Sequence, residues 1–127
     1  KARWWLTDWK SNWIGESDNK NGIETCGPIH YDEKSMEKVM LHHHYPLQAH
    51  IYLVALHRFL EWRLPNYNPN KHIGGYIYVF LRGLPGEKAL SKVSQRNNTP
   101  GLIIEKASIK RIVELDLLLQ KGGKAKK

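Results

Sequence analysis

Residues 4–12 read Trp4-Trp5-Leu6-Thr7-Asp8-Trp9-Lys10-Ser11-Asn12, and the fold turns on whether this run is a strand. Aromatic and β-branched residues dominate it, it has little helical periodicity, and polar residues close it, which predicts an extended strand. Side chains alternate across a strand. Trp5, Thr7 and Trp9 therefore share one face, and Trp4, Leu6, Asp8 and Lys10 the other. At ~3.3 Å of rise per residue, Asp8 and Lys10 start roughly 7 Å apart on one side, a gap that can hold a hydrated metal ion. A carboxylate that holds a metal, beside an ammonium that steadies a water or a phosphate oxygen, is suited to phosphodiester cleavage. Taken alone, an Asp-x-Lys triplet is more often a strand edge with a solvated Asp and Lys. The remainder of the chain decides between the two.

The chain has 127 residues, enough for one small domain with one core. A 41% hydrophobic share with 25% charged residues is ordinary for a globular domain and excludes a wholly disordered chain. The net charge of +8 favours an anionic partner, most simply nucleic acid. Part of that excess sits in residues 121–127, Lys-Gly-Gly-Lys-Ala-Lys-Lys, read as a basic disordered tail behind a domain over 1–120. The single cysteine, Cys26, excludes an internal disulfide and fits a reducing compartment such as a cytoplasm. No run approaches the ~20 apolar residues of a membrane span. The sequence opens directly on a strand, an odd start for a domain, which suggests part of something larger.

Residues 11–31, rich in Gly, Asn, Ser and Asp, read as a long loop anchored by Trp13 and Ile14. A helix is expected from Asp32 to His43, capped by Asp32 and burying Met36, Val39 and Met40 on one side. His42-His43-His44 cannot all face one metal from a regular helix, because neighbours point about 100° apart. A solvated helix end is the better reading. Pro46 is placed to open the next helix, to about Trp62, with Leu47, Ile51, Val54 and Ala55 as its core stripe and His57 and Arg58 outward. Gln48 and Tyr52 lie four apart and stack on one face. Gly74-Gly75 leads into residues 76–82, apolar on both faces and so a central strand. Gly83 to Pro100 is polar and turn-rich. Leu102 to Glu105 is a short strand, and Ser108 caps a helix from Ile109 to Gln120 that buries Ile109, Ile112, Val113 and part of the Leu115 to Leu119 set. The order strand, helix, helix, strand, strand, helix predicts an α/β domain with a small mixed sheet.

Three motifs now stand in order. They are Asp8-Trp9-Lys10-Ser11-Asn12, then Tyr45 to Tyr52 with Ala55-Leu56-His57-Arg58, then His72-Ile73-Gly74-Gly75 with Tyr78 to Gly83. The series resembles the C-terminal nuclease domain of RecB, the beta subunit of exodeoxyribonuclease V. It covers most of the chain, more loosely at 16–40 and 84–100. The resemblance implies a restriction-endonuclease-like α/β fold of the PD-(D/E)xK class, with a small mixed central sheet flanked by helices. It implies that Asp8 and the backbone carbonyl of Trp9 bind a divalent metal, Mg²⁺, and that Lys10 orients the attacking water or stabilises the pentacovalent phosphate. It also implies that Gln48 and Tyr52 contact the DNA backbone or support the metal shell, and that the partners are DNA and the RecC and RecD subunits.

One departure matters. The family holds its metal with a further carboxylate on the strand before the D-x-K strand, and the sequence starts at Lys1. Asp18, Glu24, Asp32 and Glu33 follow the motif and are poor substitutes. The expectation is the back part of a nuclease domain, inactive by itself, with an edge of the first strand open to self-association. A non-catalytic DNA-binding or subunit-contact module on the same scaffold is the competing reading, since the basic balance and exposed aromatics serve it equally well.

Overall fold

The computed structural model describes residues 2–87 and 99–124. In chain order the elements are β1 (Trp4–Lys10), β2 (Glu16–Asp18), β3 (Ile23–Thr25), α1 (Glu33–His42), α2 (Tyr45–Arg63), α3 (Pro69–His72), β4 (Ile73–Phe80), β5 (Leu102–Lys106) and α4 (Ile109–Lys124). Short 3₁₀ turns cover Pro28–His30 and Leu81–Gly83. Every expected strand and helix is present. Most of residues 83–100, read as polar and turn-rich, lies outside the described residues, as do the last three of the basic tail.

The main sheet has the order β1-β4-β5. β4 is central, and seven of its eight residues are buried, as its two apolar faces predict. β1 and β4 run parallel. Arg3 donates to the Ile73 carbonyl near their starts, while Lys10 lies over Tyr78 and Arg82 donates to the Ser11 carbonyl near their ends. A parallel pair needs a long crossover, and α1 and α2 lie within it. β4 and β5 are antiparallel: Phe80 N–H donates to the Gly101 carbonyl at 2.7 Å, and Ala107 N–H to the Gly74 carbonyl at 3.0 Å. Gly74 and Gly75 are required by close approach. A β-carbon on Gly74 would overlap the Trp5 indole, and one on Gly75 would overlap the Glu105 carbonyl oxygen.

The chain divides into two compact units. One comprises Lys1–Leu6, His44–Tyr76 and Glu105–Lys127. Here α2 packs on α4. Leu53, Leu60, Ile73 and Ile112 are fully buried, each contributing ~1.5–3 kcal/mol relative to exposure. The expected core stripe of α2 is corrected. Val54 is buried, but Leu47, Ile51 and Ala55 are exposed, and the buried row is Ala49, Leu53, His57 and Leu60. His57, expected outward, faces in, with Nδ1 2.8 Å from the Tyr67 hydroxyl. Burial, reinforced by the Glu61 charge, pushes the Tyr67 hydroxyl up to about 12. Arg58 pairs with Asp116 of α4, and Gln120 donates to the other Asp116 oxygen at 2.9 Å. α4 also runs four residues past Gln120, to Lys124, capped by Ser108. It buries Ile112 and half-buries Ile109, Val113 and Leu115, but Leu117, Leu118 and Leu119 are exposed.

The other unit comprises Thr7–His43 and Ile77–Ile104. Its hub is Tyr31, fully buried, whose hydroxyl donates to the Asn12 carbonyl and accepts from Ile14 N–H. Burial, with the Cys26 thiol close by, pushes that hydroxyl up to about 12. Gly83 is glycine because a β-carbon there would run into the Tyr31 ring. Tyr31 thus takes the anchoring role expected of Trp13, which is exposed. The long loop of residues 11–31 contains an antiparallel hairpin, β2 against β3, with Asp18 opposite Ile23. Its turn closes on Asp18, whose carbonyl accepts from Gly22 N–H and whose carboxylate accepts from Lys20 N–H and the Asn21 amide. α1 matches expectation: the Asp32 carboxylate caps Ser35 N–H at 3.0 Å, and Met36 and Met40 are buried.

Candidate functional site

The alternation expected for β1 is present from Trp5 onward, but Trp4, expected on the inward face, is exposed. Leu6, Asp8 and Lys10 are half-buried, and Trp5, Thr7 and Trp9 are exposed. The inward face brings Asp8 and Lys10 together. Lys10 Nζ lies 2.8 Å from Asp8 Oδ2, so the lysine arm spans the gap between the two backbone positions. The metal-sized opening expected between the side chains is filled by the ion pair. Lys10 is the more enclosed of the two, with its side chain 11% exposed against 25% for Asp8. Its ammonium also sits 5.1 Å from the centre of the Tyr78 ring. Such a cation–π contact is worth ~0.5–2 kcal/mol and holds the charge at a fixed place.

Two contributors escaped the sequence reading. Tyr78 supplies the ring beneath Lys10, and Arg82 Nε donates to the Ser11 carbonyl at 3.1 Å, tying down the end of β1. Both lie in the quoted run from Tyr78 to Gly83. The signal was a parallel partner strand whose inward residues must face the D-x-K strand.

Gln48 and Tyr52 are also brought together, the Gln48 amide donating to the Tyr52 hydroxyl at 3.3 Å on α2. Tyr52 is exposed, so it is not a core residue. With His44, Leu47 and Ile51 the pair lines an open hollow of about 310 Å³. These two residues belong to the unit of α2, and Asp8 and Lys10 to that of α1. His42, His43 and His44 form a solvated helix end. His44 adopts a left-handed backbone (φ 56°) between α1 and α2.

Metal-binding capacity can be tested on the donors present. Asp8 and the Trp9 carbonyl are hard oxygen donors of the kind Mg²⁺ prefers, and Mg²⁺ retains several waters alongside one or two carboxylates. Among the described residues no three His, Cys, Asp or Glu side chains converge to form a complete site. The donors therefore fit as part of a metal shell that further oxygen ligands must complete.

A mixed α/β fold with a small mixed sheet, whose D-x-K strand is paired to a central strand, is compatible with a nuclease-like fold. No family model matches the chain. Curated proteins do match it. It is 44% identical to the RecBCD enzyme subunit RecB of Mycolicibacterium smegmatis over 81 residues, 64% of this chain. It is 36% identical to RecB of Escherichia coli over 103 residues, 81% of the chain, and 33% identical to RecB of Haemophilus influenzae over 115 residues, 91% of the chain. The chain is RecB-related. The matched stretch spans only 7–8% of the length of these relatives.

Proposed function

We propose that this chain carries the D-x-K strand of a RecB-type, metal-dependent DNA exonuclease that hydrolyses phosphodiester bonds in double-strand-end processing and recombinational repair. The observation that carries the reading is the Asp8–Lys10 pair, set over Tyr78 on a β1 strand in a RecB-related chain. In this reading Asp8 and the Trp9 carbonyl would hold a divalent cation such as Mg²⁺. The cation, when bound, supplies Lewis-acid chemistry at the scissile phosphate. Lys10 orients the attacking water and places positive charge where the oxyanion develops. Tyr78 keeps that charge in position, and Arg82 fixes the strand end. Gln48 and Tyr52 present an amide and a hydroxyl to the DNA backbone. RecC and RecD are the proposed subunit partners.

The test is an exchange of this segment for its aligned counterpart in Escherichia coli RecB, assayed as the assembled enzyme on linear DNA with Mg²⁺. Cleavage should persist in the exchange, and Asp8→Ala should abolish it while DNA binding is kept. Undiminished turnover in Asp8→Ala would remove the strand from the mechanism. Gln48→Ala and Tyr52→Phe should lower activity per folded molecule and leave melting nearly unchanged.

The net charge of +8 and exposed aromatics such as Trp13 support a second reading, a non-catalytic DNA-binding or subunit-contact module on the same scaffold. Both readings expect the 127-residue chain alone to leave duplex and single-stranded DNA intact in Mg²⁺ or Mn²⁺. Only the first expects the exchanged enzyme to depend on Asp8.

A further inference from the structure

The first unit holds a cavity of about 500 Å³ that none of the D-x-K chemistry uses. It opens at the start of β1, the start of β4 and the junction of β5 with α4, and is lined by Arg3, Trp5, Asn70, Gly74, Lys106 and Ile109 among others. Two cations and one carboxamide face it, and among the described residues no acidic side chain lines it. Glu105 precedes Lys106 on β5 and alternates to the opposite face. Its charge is felt instead at Tyr76, whose hydroxyl is raised by burial first and by Glu105 second. The Arg3 guanidinium is anchored at the rim by donating to the Ile73 carbonyl at 3.3 Å. Trp5 lies close enough against Gly74 that no β-carbon fits there, yet the residue is 40% exposed.

We propose that this cavity binds one nucleotide of a single-stranded nucleic acid, its phosphate held by Arg3 and Lys106 and its base stacked on Trp5. The size supports it: pockets of roughly 300–1,000 Å³ enclose small organic ligands, more than a bare anion needs. The chemistry supports it too. Strand-binding surfaces without sequence preference pair cationic groups along the backbone with aromatic rings that stack bases. A guanidinium suits a phosphate because its planar fork can donate twice to one group, and Asn70 adds a neutral donor for the sugar or base. The inference rests on the nucleic-acid reading of the function but on different residues from Asp8 and Lys10.

The experiment uses the 127-residue chain and a labelled twelve-residue oligothymidylate, with binding read by fluorescence anisotropy across a salt series. Amide spectra are recorded in parallel with the oligonucleotide, thymidine monophosphate and inorganic phosphate. The double variant Arg3→Gln/Lys106→Gln changes two exposed side chains. It should weaken binding about tenfold and flatten the slope of log K against log salt by about 0.7 to 1.4, one or two phosphate contacts on a single strand. Trp5→Leu should weaken binding by about tenfold through lost stacking. Because Trp5 covers the two glycines, the double charge variant carries the test if this one unfolds. Lys110→Gln, whose lysine pairs with Glu114 on α4, should bind as the parent does. The Gly74 and Ile109 amides should move with the oligonucleotide. Unchanged affinity and slope in the double variant would overturn the proposal. So would oligonucleotide shifts that miss both amides, shifts caused by inorganic phosphate alone, or equal binding of duplex. Loss of cleavage on Asp8→Ala with binding at the cavity absent leaves the proposed function standing alone, and the converse leaves the cavity standing alone.

Discussion

Two aspartates in this chain each take a cation, and the pairs differ in what they join. Asp116 on α4 accepts from Arg58 on α2, 58 positions earlier, and from Gln120, so both its oxygens are engaged at 9% side-chain exposure. That pair pins one helix to another. Asp8 and Lys10 are two residues apart on one strand and bring no distant elements together. A short-range, partly solvated ion pair contributes ~0–1 kcal/mol to stability. The ion pair itself therefore gains the fold little, and what holds Lys10 in place is its enclosure to 11% exposure over the Tyr78 ring. The first pair has the shape of a fastening and the second of a poised charge. The physical distinction is the sequence separation each pair closes, together with how many oxygens it leaves for a ligand.

The comparison is broken most directly at Lys10. Lys10→Ala in the exchanged RecB enzyme should cut cleavage by about 10²–10³, the cost of one transition-state electrostatic contact of ~2.7–4 kcal/mol. Its urea midpoint should barely move. A large loss of stability with activity per folded molecule intact would turn this pair into a second fastening.

Arg58→Met should show the opposite pattern. Removing the cation strands a largely buried carboxylate, and with Arg58 itself 47% exposed the expected destabilisation is about 1–3 kcal/mol in equilibrium urea unfolding. The double variant Arg58→Met/Asp116→Leu should recover most of it, because no charge is then left without a partner. Nuclease activity of folded enzyme should not follow either change.

Tyr78 sharpens the contrast within the poised pair. Tyr78→Phe keeps the ring beneath Lys10, and Tyr78→Leu removes it. The Leu variant should lose about three- to tenfold more activity than the Phe variant, in keeping with a cation–π contact of ~0.5–2 kcal/mol. Equal activity in both would mean that the ring does not position the ammonium.

The smallest effect concerns two aspartates bound by backbone amides rather than cations. Hydrogen bonds from Lys20 N–H and Asn21 hold the Asp18 carboxyl below its ordinary 3.8, and those from Ser35 do the same for Asp32. A depressed folded-state value stabilises the fold above the ordinary carboxylate range and is lost as pH falls through the folded-state value. Acid titration by NMR should therefore shift the Lys20 and Ser35 amides with midpoints below pH 3.8, the hairpin turn and the α1 cap loosening as each carboxylate is protonated. Midpoints at or above 3.8 would show that these caps do not form.

Much of the architecture was legible in the residues because its periods are rigid. A strand repeats every two residues, so Leu6, Asp8 and Lys10 had to share a face, and they do. Asp32 and Ser108 announced their helices by cap chemistry that needs no tertiary context. Gly74-Gly75 was read only as the lead-in to the central strand, and the fold shows why glycine is needed there, with the Trp5 indole lying against it. The face of α2 was not legible. Leu47, Ile51, Tyr52, Leu53, Val54, Leu56, Phe59, Leu60 and Trp62 put apolar groups around most of its circumference, and periodicity cannot choose among them. The fold buries Ala49, Leu53, Val54, His57 and Leu60 instead. The β2–β3 hairpin was missed because its strands are short, polar and exposed, leaving only Asn21-Gly22 to betray the turn. That Asp8 and Lys10 lie on one face was likewise available from the residues. Their direct contact, and the Tyr78 ring that fixes it, depended on a strand almost seventy residues away, and a pairing over that distance is decided by the whole fold.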